Sequence, residues 1–187
     1  LKQERLELAV DMLRKAARAE PSAKNFCNLA TVLPTEEGIE CLLKALTLNP
    51  ANALCYKNLG TLVSQQHRYK EAIAHFKKAI TLSPKDHEVY SNIGYCLIMQ
   101  SQYREAASYF RQAIALSPQS TQSYTQLLFC LCFDSHAFPA TYLKDAKSLD
   151  KLWQSVSIPY TQWLCPPPSS TKPLRVGLVS GDLGNHP

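Results

Sequence analysis

Apolar residues recur at helical spacing along most of the chain, in short stretches separated by polar turns. The stretch YKNLGTLVSQQHRYKEAIAHFKKAITLSP (56–84) contains two apolar-periodic halves joined by the polar turn SQQHRYKE. Apolar positions three and four residues apart fall on one face of a helix, so each half predicts an amphipathic helix. Pro84 cannot continue a helix and is expected to end the second one.

The same pattern returns at an offset of 34 residues, in YSNIGYCLIMQSQYREAASYFRQAIALSP (90–118). A fixed period of this length predicts a solenoid of stacked helix pairs. The matching positions are Tyr56/Tyr90, Asn58/Asn92, Gly60/Gly94, Tyr69/Tyr103, Glu71/Glu105, Ala72/Ala106, Phe76/Phe110, Ala79/Ala113 and Pro84/Pro118.

Small residues in each repeat are expected to let its two helices approach closely. Gly60 and Gly94 would bring the first helix against the second, where Ala72 and Ala106 offer a matching small surface. The large rings of Phe76 and its equivalent Phe110 are expected to fill the space between repeats.

Weaker units flank the two full repeats. Upstream, FCNLATVLPTEEGIECLLKALTLNP keeps most apolar positions but has an inter-helix turn four residues shorter, and LAVDMLRKAARAEP fits a second helix alone. Downstream, TQSYTQLLFCLCF opens a unit that then breaks the pattern, and residues 139–156 predict a longer closing helix. We expect five to eight helices, in a partial repeat (1–22), a degenerate repeat (23–52), two full repeats (53–86, 87–120), and a degenerate repeat with the closing helix (121–164).

The end of the chain differs in character from the repeats. CPPPSSTKP (165–173) is rich in proline and predicts a linker. LRVGLVSGDLGNHP (174–187) begins with a short apolar run that suits the buried first strand of a parallel sheet. A glycine-containing loop follows, of a kind compatible with close approach to a phosphate.

Charge and apolar run length exclude two classes of partner. The net charge of +5 is spread along 187 residues without a dense basic stripe, so no nucleic-acid surface is expected. The longest apolar run, LLFCLCF (127–133), is far too short to cross a bilayer. No membrane association is therefore expected.

Seven cysteines and five histidines lack the spacing of a metal site or a disulfide framework. We expect no metal, and a reducing, cytoplasmic location. Cys130 and Cys132 lie in an apolar run, and both are expected to be buried thiols.

Asparagine recurs at one position of the first helix, as Asn28, Asn58 and Asn92, with Gln126 in the fourth unit. Asparagine is a poor helix-interior residue. A row of primary amides offers donors and acceptors to the backbone of an extended peptide, and we predict peptide binding there. The alternative is that each asparagine is simply tolerated on a wet surface.

A second kind of peptide site, a basic clamp for a C-terminal carboxylate, fits less well. Such a clamp is known from tetratricopeptide repeats, which the 34-residue period resembles. By that resemblance Lys57 would stand at one clamp position, but Cys27 and Glu88 occupy places where basic residues would be needed.

The 34-residue signature resembles the tetratricopeptide repeat (TPR). Repeats with an asparagine row, a closing helix and then KPLRVGLVSGDLGNHP together resemble the O-linked N-acetylglucosamine (O-GlcNAc) transferase family, especially its bacterial members. The resemblance implies that the strand opens a two-lobed, Rossmann-like catalytic region of the GT-B type. It implies transfer of GlcNAc from the donor UDP-GlcNAc to Ser or Thr of acceptor proteins held by the asparagine row.

By the same resemblance, His186 matches a histidine of the catalytic cleft, with Asp182 and Asn185 beside it. Most of the donor site is absent from these residues, so we expect this chain to bind polypeptide, and to need no cofactor, with catalysis left to a longer parent. The main alternative is a non-enzymatic TPR adaptor; a transferase for another sugar or acceptor is a further one. The repeat faces and the C-terminal strand are candidate surfaces for self-association.

Overall fold

The computed structural model describes residues 2–133 and 139–156, which form nine α-helices. This exceeds the five to eight expected, because the partial and degenerate units also contribute helices. The predicted linker (165–173), strand and loop (174–187) lie outside the described residues. The helices are α1 (Lys2–Ala19), α2 (Ala23–Ala30), α3 (Thr35–Leu48), α4 (Ala53–Gln65), α5 (Tyr69–Leu82), α6 (His87–Ile98), α7 (Tyr103–Leu116), α8 (Thr121–Phe133) and α9 (Pro139–Val156).

Consecutive helices pack against each other as a stack of hairpins, which confirms the solenoid predicted from the repeat. Helix α2 packs on α3, α4 on α5, and α6 on α7, while α3, α5 and α7 each also contact the helix that follows them. From α1 to α8 the turns have only three or four residues, so the chain must reverse direction at each turn and these neighbouring helices are antiparallel. No strand occurs in the ranges that the structure describes.

Short polar side chains fix where the first helix of each pair begins. Ser22 Oγ accepts the backbone N–H of Asn25 at 3.3 Å, and Asn52 Oδ1 accepts that of Cys55 at 3.1 Å. Asp86 caps α6 in the same way through the N–H of Glu88, at 3.2 Å. Each cap satisfies an N–H that has no partner inside the helix. The proline-bearing turns therefore both end one helix and start the next.

The closest contact inside each full repeat joins a glycine to a phenylalanine ring. A Cβ built on Gly60 would lie 2.6 Å from the ring of Phe76, and one on Gly94 would lie 2.7 Å from that of Phe110. The sequence argument assigned these rings to the space between repeats. The structure adds a contact inside the repeat: each ring lies against the glycine of its own repeat, because the missing Cβ leaves room for it there.

The degenerate repeat is short for a different reason from the one expected. The segment between α2 and α3 has four residues (31–34), whereas that between α4 and α5 has three (66–68). The turn is therefore not the shortened part. Helix α2 itself has only 8 residues against 13 in α4. Pro34 limits the length of α2, because the preceding residue, Leu33, is disfavoured in helical conformation and the helix cannot extend as far as α4 does.

The two neighbouring cysteines of α8 have different surroundings, so the prediction for one of them was wrong. Cys130 is buried, and burial raises the pKa of its thiol to about 11. Cys132 is exposed. Two residues along a helix turn the side chain by about 200°, so only one of the two can face the core. A helix with the length and apolar content of a membrane span does not occur in the described ranges.

Replacing Gly60 by alanine tests the glycine–ring contact. Helix propensity alone predicts a gain of about 1 kcal/mol for Gly→Ala. The contact with Phe76 predicts the opposite sign, a loss of roughly 1–3 kcal/mol from overpacking. Urea denaturation followed by circular dichroism measures the difference.

The double variant Gly60→Ala/Phe76→Leu is the control, because the smaller side chain leaves room for the new methyl group. It should be less destabilised than the sum of its single variants. A stabilised Gly60→Ala protein would contradict the packing described here.

Candidate peptide-binding face

The first helices of the repeats line one side of the stack and come closest together there. Helix α2 contacts α4, α4 contacts α6, and α6 contacts α8, with Cα atoms within 8 Å. Among the fully described second helices α3, α5 and α7, no pair approaches so closely. A stack that is narrower on one side curves toward it. The inner face is the surface formed by α2, α4, α6 and α8.

The asparagines lie on the exposed side of these first helices. In α6, Tyr95 and Met99 follow Asn92 by three and seven residues, which at about 100° per residue places all three within an arc of about 60°. Tyr95 and Met99 are exposed, whereas residues such as Ile93 and Leu97 are buried on the other side. The amide row, meaning Asn28, Asn58, Asn92 and Gln126, therefore supplies one amide to the inner face from each first helix.

The four amides differ in exposure. Asn28 is exposed, and Asn58, Asn92 and Gln126 are half-buried. In the part of the chain described by the structure, the side chains of Asn28 and Asn92 form no hydrogen bond, so both keep donors and an acceptor for a ligand. The shortness of α2 leaves Asn28 near the end of its helix.

Asn58 has a structural contact that the sequence did not indicate. Its Nδ2 donates to Cys27 Sγ in α2 at 3.5 Å. Cys27 in turn lies against Cys55, and burial together with this neighbour raises the pKa of Cys55 to about 12. A thiol is a weak acceptor, and the contact uses one of two donors. Asn58 therefore retains its carbonyl oxygen and one N–H for a ligand.

Lys57 is held in an ion-pair network at the edge of the inner face. Its Nζ lies 2.8 Å from Glu88 Oε2 and 3.0 Å from Asp86 Oδ2. Burial lowers the pKa of Lys57, but its hydrogen bonds to Glu88 and Asp86 outweigh burial and raise it. The lysine joins α4 to the start of α6 and already has two carboxylates, which argues further against a clamp for a peptide carboxylate.

The inner face also carries large apolar side chains that the sequence argument missed. Tyr95 and Met99 in α6, and Phe129 and Phe133 in α8, are all exposed to 43% or more. Each pair follows the amide of its own helix by three and seven residues. This spacing could have revealed them from the sequence, since residues that share a helix face with Asn92 cannot also face the core.

No group of three or more His, Cys, Asp or Glu residues within the described part is arranged to hold a metal ion. His186, the residue assigned by resemblance to a catalytic cleft, lies outside the described residues. Asp182 and Asn185 lie outside them as well. Within the described part, the inner face presents amides and apolar side chains.

Removing the charge of Lys57 should weaken the joint between α4 and α6. Lys57→Met keeps the aliphatic stem, and we expect a loss of about 1 kcal/mol, since the ion pairs are only partly shielded from water. A raised lysine pKa contributes stability below the ordinary lysine value, and that contribution disappears only as the pH rises through the raised pKa. The loss should therefore be constant across neutral pH, as measured by urea denaturation.

The exposed Lys77→Met variant on α5 is the matched control and should leave stability unchanged. Equal stability of the two variants would show that the Lys57 ion pairs contribute nothing.

Comparison with known protein families supports the assignment of the two full repeats. The tetratricopeptide-repeat family matches residues 53–86 and again 87–120. A comparison with curated proteins found no match.

Solved structures of other repeat proteins have the same fold. MamA (41-end) from Desulfovibrio magneticus RS-1 is 17% identical, with a TM-score of 0.72 over 84% of this chain and 90% of that one. PilF of Pseudomonas aeruginosa is 25% identical, with a TM-score of 0.69 over 82% of this chain and 70% of that one. YrrB, a TPR protein with an unusual peptide-binding site, is 23% identical, with a TM-score of 0.66 over 75% and 74%. The chain is thus an α-solenoid that contains two tetratricopeptide repeats, at 53–86 and 87–120.

Proposed function

We propose that the inner face binds an extended segment of another polypeptide through the amide row. The tetratricopeptide repeats support a role in protein–protein interaction. The observation that carries the proposal is the placement of Asn28, Asn58 and Asn92 on successive first helices, on the side away from the core.

The spacing of the first helices suits an extended backbone. Packed helices lie about 8–10 Å apart, and an extended chain rises about 3.3 Å per residue. Successive amides of the row therefore meet a bound peptide at about every third residue. Since a primary amide both donates and accepts, it can pair with a backbone N–H or C=O whatever the side chain. The proposed site has weak sequence preference along the row.

A finer proposal concerns which polypeptides are bound. The segment 174–187 resembles the opening of O-GlcNAc transferase catalytic regions, so we propose that the amide row selects acceptor proteins for transfer of GlcNAc from UDP-GlcNAc. This finer proposal rests on sequence resemblance in residues outside the described ranges. A TPR adaptor without enzymatic activity is the competing function, and the matched repeats are equally compatible with it.

Reading the coding region downstream of the Pro187 codon separates these two functions. A two-lobed, Rossmann-like region there supports acceptor selection by a transferase. A stop codon close behind Pro187 supports the adaptor, and it leaves peptide binding by the inner face unaffected.

Removing the three asparagines tests the amide row. We expect Asn28→Ala/Asn58→Ala/Asn92→Ala to weaken binding of an unstructured Ser/Thr-rich peptide. Each amide is expected to contribute about 0.5–1.5 kcal/mol net, which gives roughly 1.5–4.5 kcal/mol if the three add. The melting temperature should change little, because alanine favours helix. Calorimetric titration and a thermal melt measure the two quantities on one sample.

Asn52→Ala is a control for which we expect the opposite result, namely lower stability and unchanged affinity. Asn52 caps α4 and lies off the amide row, so its loss should cost about 1 kcal/mol of stability and no affinity. If the triple variant behaves like Asn52→Ala, with lower stability and unchanged affinity, the row asparagines are structural and the proposal fails.

A further inference from the structure

Exposed apolar side chains of the inner face form a cluster at α6 and α8. The aromatic patch comprises Tyr95 and Met99 of α6, Tyr103 at the start of α7, and Phe129 and Phe133 of α8. Their exposures are 49% for Tyr95, 46% for Met99, 43% for Phe129 and 57% for Phe133. Single exposed apolar residues are common on proteins, but a group across adjacent helices indicates a contact surface.

Ring contacts hold the α8 part of the patch together. Phe133 stacks on Tyr103 with ring centroids 5.1 Å apart, and it lies 4.8 Å from Phe129. Tyr103 and Phe129 meet edge to face at 6.3 Å. Such contacts fix the rings in position before any partner arrives, so little side-chain freedom is lost on binding. The rings pack on one another and present one apolar surface.

Repeat stacking does not require these residues. The equivalent positions of α4 are Thr61 and Gln65, one repeat earlier, and α4 packs on its neighbours like α6. At these two positions the inner face thus changes from polar in α4 to apolar in α6 and α8 without a change in fold, although α4 contributes the exposed Leu54 one turn before Asn58. Some property other than packing is needed to explain the apolar residues.

Among the described residues, the stretches of α6 and α8 that carry the patch have no charged side chain. Residues 92–99 and 126–133 contain no Asp, Glu, Lys or Arg. The charged side chains Lys57, Asp86 and Glu88 lie near the opposite ends of the first helices, where they pair with one another. An uncharged apolar group matches the patch, whereas a charged side chain would lose water there without gaining a partner.

We propose that the aromatic patch is a seat for one large apolar or aromatic side chain of the same extended polypeptide that the amide row binds. Tyr95 and Phe129 stand one helical turn, about 5 Å, from Asn92 and Gln126. A side chain projecting from a backbone on the amide row reaches that distance. The inference rests on the proposed peptide-binding function and adds selectivity to it: the partner carries a Phe, Tyr, Leu or similar residue where it crosses α6 and α8.

Fluorescence anisotropy with a matched pair of labelled peptides tests the seat. One is an uncharged Ser/Thr/Gly peptide, and the other has a single central Phe. We expect the Phe peptide to bind the full chain about tenfold more tightly, as expected for partial burial of one aromatic side chain. Phe129→Ser/Phe133→Ser should remove this tenfold gain and leave the affinity for the Phe-free peptide unchanged. Thr61→Ala/Gln65→Ala, at the equivalent positions of α4, should keep the gain.

Different binding results would contradict the apolar seat and the amide-row function. Equal affinity for both peptides overturns the seat and leaves the amide-row function standing, whereas no binding of either peptide overturns both. A greater gain for a central Arg than for Phe overturns the apolar seat in favour of a cation site. Dimerisation of the chain that depends on Phe129 and Phe133 overturns it in favour of a second copy.

Cys132 gives a readout that needs no substitution, in case the serine variants fail to fold. It is exposed and adjoins Phe133, while Cys41 is half-buried in α3, away from the patch. The Phe peptide should slow alkylation of Cys132, measured by mass spectrometry of the digested protein, and should leave Cys41 unchanged. Alkylation of Cys132 at an unchanged rate with saturating Phe peptide would overturn the seat.

Discussion

The contact between a glycine of the first helix and a phenylalanine ring of the second sets the shape of each full repeat. Phe76 and Phe110 occupy the space that a Cβ on Gly60 or Gly94 would need, and both rings are fully buried. Any side chain at these glycines would push the paired helices apart. Because each pair also packs on the next, the position of one helix pair determines that of its neighbour.

This packing in turn creates the inner face. First helices that lie close to one another present their exposed sides as a continuous surface. Each helix contributes one amide to this surface, and the four amides form a row. The ion pairs of Lys57 with Asp86 and Glu88 join α4 to the start of α6 beside that line. Asp86 contributes both to this joint and to the start of α6, which it caps, whereas Glu88 contributes to the joint alone.

The inner face is not uniform along the stack, and this difference suggests two contributions to recognition. At α4 the row asparagine is followed by Thr61 and Gln65, which suit hydrogen bonding to any backbone, and is preceded by the exposed Leu54. At α6 and α8 the row amides are accompanied by exposed Tyr95, Met99, Phe129 and Phe133. The amides would bind the backbone of a peptide whatever its side chains. The aromatic patch would favour segments that carry an apolar side chain. Together they would bind many segments and prefer the apolar ones.

The sequence by itself determined the helix pairs, because the 34-residue period, the glycines and the turn prolines act locally or at a fixed offset. It also placed the amides at one repeat position. Only the tertiary structure decided that the rings pack inside the repeat, that α2 is the shortened element, and that Cys132 is exposed while Cys130 is buried. The bond from Asn58 to Cys27 and the aromatic patch depend on distances between different helices. A single-helix pattern cannot supply these distances, because it fixes the direction of a side chain and not what lies beyond it.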